Sequence, residues 1–415
     1  MVIDVLVIKV ASRCNLNCTY CYVYNVGDKT YLNQPKLMSY DTVDWLIKRV
    51  LEHCMKNGLK KFMFIFHGGE PMLHKKEFYT YYVEQANKIL YQKNGIRCSY
   101  GIQTNGVLIS KEWINLFNNL DINVGISLDG VKEVNDKYRV DHKGKGSYDN
   151  TIKGFGIAKE KLKTSLSLGL LSVIDIEANP LETYDHMKNL GTRAFDLKWP
   201  YATYDLPANT SLLSKTAYAD WLIKIFDVWF KEEVEVRPRV SIFETIISLV
   251  LGVENIGNED FGSNDNQVLC VQTNGDLEAV GALNLCGNGF TKSGSNIREH
   301  SISDAIQTDL AKLYHQSHKK LNKKCLKCPI VDVCGGGHIV SRFSKKNGFD
   351  NVSVYCQDYM KLFTHIQNSL FDRLPEELKG NYEKIIYEEL NLYFDQLEFD
   401  TVKNSEHYTE LNSFK

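Results

Sequence analysis

Three cysteines near the start of the chain, Cys14, Cys18 and Cys21 in the run SRCNLNCTYCY, carry the most explicit chemistry. Their C-x3-C-x2-C spacing offers three thiolates to one compact site. A cubane iron–sulfur cluster has four irons and is usually closed by four cysteines, so three thiolates leave one iron free to hold a reactant. A zinc knuckle is the competing reading, but zinc wants a fourth Cys or His close by, and the first His after Cys21 is His53. A second set, Cys325-x2-Cys328-x5-Cys334 followed by Cys356, makes a complete site. On cysteine count alone that site is a cubane cluster or a tetrahedral zinc. Cys270 and Cys286 precede it and are either further ligands or small buried side chains in a hairpin, as is expected for Cys54 and Cys98.

Three further motifs place polar groups after apolar runs. In FIFHGGEP, residues 64–71, Gly68 and Gly69 free the backbone to approach a ligand and Glu70 projects a carboxylate. A strand-to-helix turn capped by an acid would read the same way. IQTNG (102–106) and GISLDG (125–130) offer Gln103, Asn105, Ser127 and Asp129. Asn105 and Asp129 precede glycines, so turn formation is an equally good reading of those two.

These groups need a scaffold that gathers strand ends. Short β-rich runs at 3–10, 61–66, 97–103, 122–128, 166–174 and 194–199 alternate with helical patterns near 41–57, 76–93, 110–118, 149–161 and 181–190. The expected fold class is α/β, a partial (β/α)6 TIM-like barrel, with ligands at the C-terminal strand ends where every motif falls. That domain covers 1–205, bridging helices 206–266, and a Gly-, Asn- and Cys-rich domain 267–372, too poor in apolar runs for a large core and expected to need a metal. Residues 373–415 form a charged helix and tail.

Composition narrows the function. The 415 residues are 43% hydrophobic, and 49 basic against 51 acidic residues leave a net charge of -2. That balance argues against bulk nucleic-acid binding. MVIDVLVIKV is apolar but short, carries Asp4 and Lys9, and reads as a buried strand rather than a signal peptide. No apolar run reaches membrane-spanning length. The expected location is the cytoplasm, where the eleven cysteines stay reduced and serve more readily as metal ligands than as disulfides.

The triplet together with FHGGEP resembles the radical SAM enzymes, in which the open iron of a [4Fe-4S] cluster chelates S-adenosylmethionine and electron transfer releases a 5'-deoxyadenosyl radical. The resemblance implies that Gly68, Gly69 and Glu70 hold the methionine amino group, that Ser127 and Arg139 serve the ribose and carboxylate, and that Tyr20 lies beside the adenine, with Gln103 and Asn105 at the same rim. A solvent-facing Arg139 is the alternative. The later cysteines resemble a SPASM domain, which tips Cys325, Cys328, Cys334 and Cys356 towards an auxiliary [4Fe-4S] cluster. Where the full pattern has another cysteine, this chain has His338. A second auxiliary site would hold only Cys270, Cys286 and at most His338, so it is absent, histidine-ligated or open.

Whole runs, among them KVASRCNLNCTYCYVYNVGD, FHGGEPML, VGISLDGVKEVNDKYR and CPIVDVCGGG, are similar to the FxsB-like branch of radical SAM/SPASM peptide maturases, which includes cyclophane-forming enzymes. That implies a ribosomal precursor peptide (RiPP) as substrate, loss of a Cβ hydrogen and attack of the carbon radical on an aromatic ring. Asp129, Glu70 and Asp196 are the rim candidates for a catalytic base. No leader-binding module is expected before the barrel. Leader recognition then falls to the SPASM face, the bridge helices, an exposed strand edge or a separate recognition protein. An external donor of flavodoxin or ferredoxin type would supply electrons. Thioether formation, or oxidation of a Cys or Ser as in sulfatase-maturing relatives, differs in product and not in radical generation. An iron–sulfur electron-transfer protein is the alternative of another class, and it has no need of Glu70 and the rim motifs.

Overall fold

Each strand of the first half buries one face under helices. In β2 (Lys61–Gly68) Phe62, Phe64 and Phe66 are at most 2% exposed, and Phe66 meets Tyr79 and Tyr82 of the helix Lys76–Ala86 with ring centroids 5.1 Å apart. Burial of one such ring is worth roughly 2 kcal/mol. The alternate residues Ile65 and His67 face the other way. β1 (Val5–Ala11) repeats the pattern, with Leu6, Ile8 and Val10 fully buried on one face and Val7 and Lys9 on the other.

The computed structural model describes residues 1–164, 167–209, 214–380, 383–397 and 410–414. β3 (Arg97–Thr104), β4 (Ile122–Ser127) and β5 (Leu168–Val173) follow in parallel register, and β6 (Ala194–Lys198) lies beside β5. Helices Tyr40–Asn57, Lys76–Ala86, Lys111–Leu120, Tyr148–Lys161 and Pro180–Asn189 intervene. The first starts where the Ser39 hydroxyl accepts from Thr42 N–H and stops at Gly58, whose φ of 67° no β-carbon favours. Strands and helices fall where the periodicity puts them, within a few residues. The stretch expected as one helix at 76–93 instead passes into a π turn over Asn87–Gln92. Residue 166 of the expected fifth strand, 210–213 of the expected bridge, and 381–382, 398–409 and 415 of the expected tail lie outside the described residues.

The chain forms two compact units, Met1–Val173 with Met187–Asp196 and Gln267–His315, and Ile174–His186 with Leu197–Asn266 and Gln316–Lys415. A two-residue strand, β7 (Arg239–Val240), belongs to the second. In the first, β8 (Val268–Val271) adds in parallel to the free side of β1, with Cys270 opposite Val7. β9 (Leu277–Glu278) returns antiparallel, with Glu278 opposite Cys270. The hairpin character expected after residue 267 is present, but this hairpin extends the sheet of the first unit. VLCV is too short to announce itself as a strand.

In the second unit the helices Ala217–Trp229, Ser241–Val250 and Cys356–Arg373 build an aromatic core. Phe226 and Phe243 lie 5.3 Å apart, and Phe261 packs on Tyr359 and Phe363 at 5.2 and 5.0 Å. The resulting fold is a mixed α/β core of partial-barrel type with a cysteine-rich C-terminal region. Among the described residues, no helix is long and apolar enough to cross a membrane.

Candidate active site

The cysteine triplet occupies the loop that leaves β1. Backbone bonds tighten it, with Cys21 N–H donating to Cys18 O at 3.0 Å and Asn25 N–H to Cys21 O at 2.8 Å. All three thiols are partly buried. Burial pushes Cys14 up to about 12, and Glu70, Cys18 and Cys21 add to the rise against the Leu16 N–H. Cys18 and Cys21 are raised as well, again first by burial, with Arg139 acting the other way on each. Three soft donors that resist ionisation and oppose one another's charge are suited to a cationic iron group, whose field reverses both effects.

Gly68 and Gly69 serve this loop directly. A β-carbon on Gly68 would lie 2.2 Å from Ala11 O, and one on Gly69 would lie 2.0 Å from Tyr24 Oη and 2.3 Å from Arg13 O. Gly69 N–H and Glu70 N–H donate to Ala11 O and Arg13 O at 2.8 and 3.0 Å. The close approach expected of a ligand is made here by the cysteine loop itself. Glu70 is fully buried and accepts from Met72 N–H, Thr104 Oγ1 and Asn105 N–H at 2.9, 2.7 and 2.8 Å. Burial raises its pKa and these three donors oppose the rise. Its carboxylate caps the turn that starts at Pro71 and ties β2 to the end of β3.

Tyr20, Asp129 and Arg139 form one buried network. Tyr20 Oη donates to Asp129 Oδ2 at 2.5 Å and receives Arg139 Nη1 at 2.8 Å, while Val173 N–H donates to Asp129 Oδ1 at 3.0 Å. Arg139 is 7% exposed, so the solvent-facing alternative is set aside, and its Nε is buried without a partner. Burial would lower the Arg139 pKa, but Tyr20, Cys18 and Asp129 together raise it. Gln103 Nε2 donates to Ser127 Oγ at 2.9 Å. Asn105 does two things: its Oδ1 accepts from Val107 N–H as a turn residue would, and its Nδ2 donates to Asn15 Oδ1 at 2.8 Å and reaches the Cys14 sulfur at 3.9 Å. Asp196 is half-buried on β6.

The second cysteine set lies wholly in the second unit. Cys325, Cys328, Cys334 and Cys356 line one pocket with Ile330, Tyr359 and Met360. Burial pushes Cys325 up to about 11, and Cys334 and Cys356 are raised by burial and then by the other thiols of the set. The donors therefore fit a soft cationic group. Sequence reasoning missed Arg342 here. It is fully buried, and Nη1 donates to Ser317 O and Lys320 O, both at 3.1 Å, while Nε and Nη2 find no partner. His338 Nε2 stands 3.4 Å from Glu259 Oε2 and its Nδ1 accepts from Val340 N–H at 3.3 Å. Cys270 and Cys286, 3% and 5% exposed, belong to the first unit. Among the described residues, no three Cys, His, Asp or Glu side chains stand together as ligands of a single metal ion.

Sequence reasoning also passed over Lys9, His67 and the Tyr24 hydroxyl. Lys9 interrupts an apolar strand and His67 precedes the two glycines, which were the available signals.

Known proteins resemble this chain along most of its length. Residues 8–180 match the Radical SAM superfamily. The chain is 26% identical over 378 residues to a cysteine-type anaerobic sulfatase-maturating enzyme of Clostridium novyi, covering 87% of this chain and 94% of that one. It is 24% identical over 390 residues to a serine-type anaerobic sulfatase-maturating enzyme of Bacteroides thetaiotaomicron, covering 87% and 89%. The solved structure of native anSMEcpe with bound AdoMet superposes with a TM-score of 0.76 at 23% identity, over 89% of this chain and 98% of that one. Streptococcus suis SuiB bound to S-adenosylmethionine gives 0.54 at 16% identity, over 82% and 73%. The matched region implies a [4Fe-4S] cluster and S-adenosylmethionine as cofactors, and region and fold together are those of a radical SAM oxidoreductase.

Proposed function

We propose that this protein modifies a side chain of a peptide or protein substrate by radical chemistry, and that the reaction is an oxidation of a Cys or Ser of the kind its sulfatase-maturating relatives carry out. The observation that carries this reading is similarity along nearly the whole of those relatives, 94% of the Clostridium novyi enzyme's length. The likeness corrects the emphasis of the sequence reading, where the cyclophane product stood first. Cyclophane formation is retained as a second reading because runs such as VGISLDGVKEVNDKYR lie outside the cysteine motifs and resemble that branch.

Cys14, Cys18 and Cys21 would hold the cluster, which with S-adenosylmethionine would supply a 5'-deoxyadenosyl radical able to take one hydrogen atom from the substrate. Arg139, with a buried unpaired Nε, and Ser127 are the groups for the carboxylate and ribose, Tyr20 for the adenine side, and the Asn105 amide sets the electron density at Cys14. Completing a two-electron oxidation requires that one electron and one proton leave the substrate radical. Cys325, Cys328, Cys334 and Cys356 would hold an auxiliary [4Fe-4S] cluster of SPASM type, which would supply an electron acceptor. The resemblance to a SPASM domain, and not the four thiols alone, favours a cluster over one zinc ion at this site. Asp129 and Asp196 are the candidates for the proton.

The test is high-resolution mass spectrometry of peptides incubated anaerobically with the reduced, iron-loaded protein and S-adenosylmethionine. Loss of two hydrogens at a serine, or the same loss with sulfur replaced by oxygen at a cysteine, supports side-chain oxidation. Loss of two hydrogens with a new bond to an aromatic ring, placed by fragmentation, would move the assignment to the cyclophane reading. Cleavage of S-adenosylmethionine without change in any peptide would overturn both.

A further inference from the structure

Lys9 is the only charged residue in β1 and is 4% exposed, yet its ammonium forms no hydrogen bond or ion pair among the described residues. A cationic side chain that is largely covered and has no protein partner is suited to a ligand that neutralises it. The β1–β2 register sets Lys9 beside His67 on the face turned away from the helices. On the other side its ammonium runs under Gly281, where a β-carbon would lie 3.3 Å from Nζ and 3.1 Å from the Tyr22 ring. Glycine at 281 therefore leaves the space that the ammonium and anything bound to it must share.

Lys9 lines a narrow pocket together with Tyr24, Gln272 and Asn284. The Tyr24 hydroxyl is buried there and has no partner. Local carboxylates are already committed. Asp28 accepts from Thr30 Oγ1 and Gly289 N–H at 2.7 and 2.9 Å, and Glu278 pairs with Lys292 at 2.6 Å and with Gln272 at 2.5 Å. His67 Nδ1 accepts from Gly68 N–H at 2.8 Å, and burial followed by the Lys9 charge holds the ring near a pKa of about 4, so it brings no second charge. An ammonium and a hydroxyl, both without a protein partner and both lining one pocket, are a donor pair for a carboxylate.

We propose that Lys9 and Tyr24 form a subsite for a carboxylate carried by the peptide substrate, either an Asp or Glu side chain or a free C-terminus. The proposal rests on the peptide-modifying reading above and adds a specificity element to it. The S-adenosylmethionine carboxylate has a separate candidate partner in Arg139, which belongs to the network of Tyr20 and Asp129.

The test uses the iron-loaded protein with S-adenosylmethionine and three equimolar heptapeptide pools, randomised except at the centre. One is N-acetylated and C-amidated with a central Glu, one is the same with a central Gln, and one has a central Gln and a free C-terminal carboxylate. Peptides retained on gel filtration are counted by mass spectrometry. Wild type is expected to retain one carboxylate pool over the neutral pool by about tenfold, the ratio that one charge-assisted contact supports. Which pool wins identifies the source of the carboxylate. Lys9→Met should abolish the preference, Lys9→Arg should keep part of it, and S-adenosylmethionine binding by equilibrium dialysis should stay within about twofold of wild type. Gly281→Ala, which leaves the charge but fills the space beside it, should also lower the ratio. Equal retention of all pools by wild type overturns the subsite and leaves the peptide reading standing. Retention of none overturns both. A preference that survives Lys9→Met, with S-adenosylmethionine binding lost instead, overturns the subsite by assigning Lys9 to the cofactor. Wild-type ratios and Gly281→Ala decide the matter if Lys9→Met does not take up iron.

Discussion

The hydroxyl of Tyr20 donates to Asp129 at 2.5 Å, joining the cysteine loop to the end of β4 across 109 residues of sequence. Arg139 completes the contact from its own loop. Removing the hydroxyl leaves a buried carboxylate with one fewer donor and a buried guanidinium with one fewer acceptor. Tyr20→Phe is therefore expected to cost about 1–3 kcal/mol of stability, and Arg139→Met about 3–5 kcal/mol, since it strands the Asp129 charge. Urea unfolding of the anaerobically purified protein measures both. Midpoints equal to wild type would show that the network is not formed in solution.

The glycine pair gives a steric prediction. In Gly69→Ala the new carbon meets the Arg13 carbonyl at 2.3 Å as well as the Tyr24 hydroxyl, and a backbone carbonyl cannot swing aside. The cysteine loop must move, so the variant should lose iron binding at the triplet and about 3 kcal/mol or more of stability. A Gly69→Ala protein with full iron content and an unchanged melting curve would contradict the close packing of the two loops.

Iron stoichiometry separates the cysteine sets. Two cubanes require about eight irons per chain, and Cys328→Ala should reduce this to about four while leaving the triplet's cluster in place. Cys270→Ser and Cys286→Ser should leave the count unchanged. About twelve irons in wild type, falling with Cys270→Ser, would instead establish a second auxiliary cluster.

Burial holds the His53 imidazole below its ordinary pKa, and Lys56 acts in the same direction. Its Nε2 accepts from Ile3 N–H at 3.2 Å, a bond that protonation would break. The folded state thus binds fewer protons than the unfolded one, and the contribution is fully present above an unfolded value of about 6.5 and is lost as pH falls through the folded pKa. Wild type should lose more stability than His53→Gln between about pH 7 and pH 5. Parallel pH profiles for the two proteins would rule out this role.

Much of the first unit is legible from periodicity, because alternating Phe62, Phe64 and Phe66 or the spaced apolar face of Tyr40–Asn57 report burial directly. β8 and β9 escape, since four and two residues are too few to show a period, and only tertiary pairing with β1 makes them sheet. Cysteine spacing reveals the two ligand sets but not their surroundings. Nothing local marks Arg342 as a buried cation, because burial is decided by what packs on it from distant sequence, whereas Lys9 is signalled only by the apolar run it interrupts. Glu70 shows the opposite limit: the reading of a turn capped by an acid foresaw its place, and only the structure reveals how Met72, Thr104 and Asn105 donate to its carboxylate.

The most direct test of the central claim is quantification of 5'-deoxyadenosine after anaerobic reduction of the iron-loaded protein with S-adenosylmethionine. Wild type should form it, and a Cys14→Ala, Cys18→Ala, Cys21→Ala variant that keeps its auxiliary iron should form none. An iron-replete wild-type protein that leaves S-adenosylmethionine intact would contradict the radical enzyme and return the chain to iron–sulfur electron transfer.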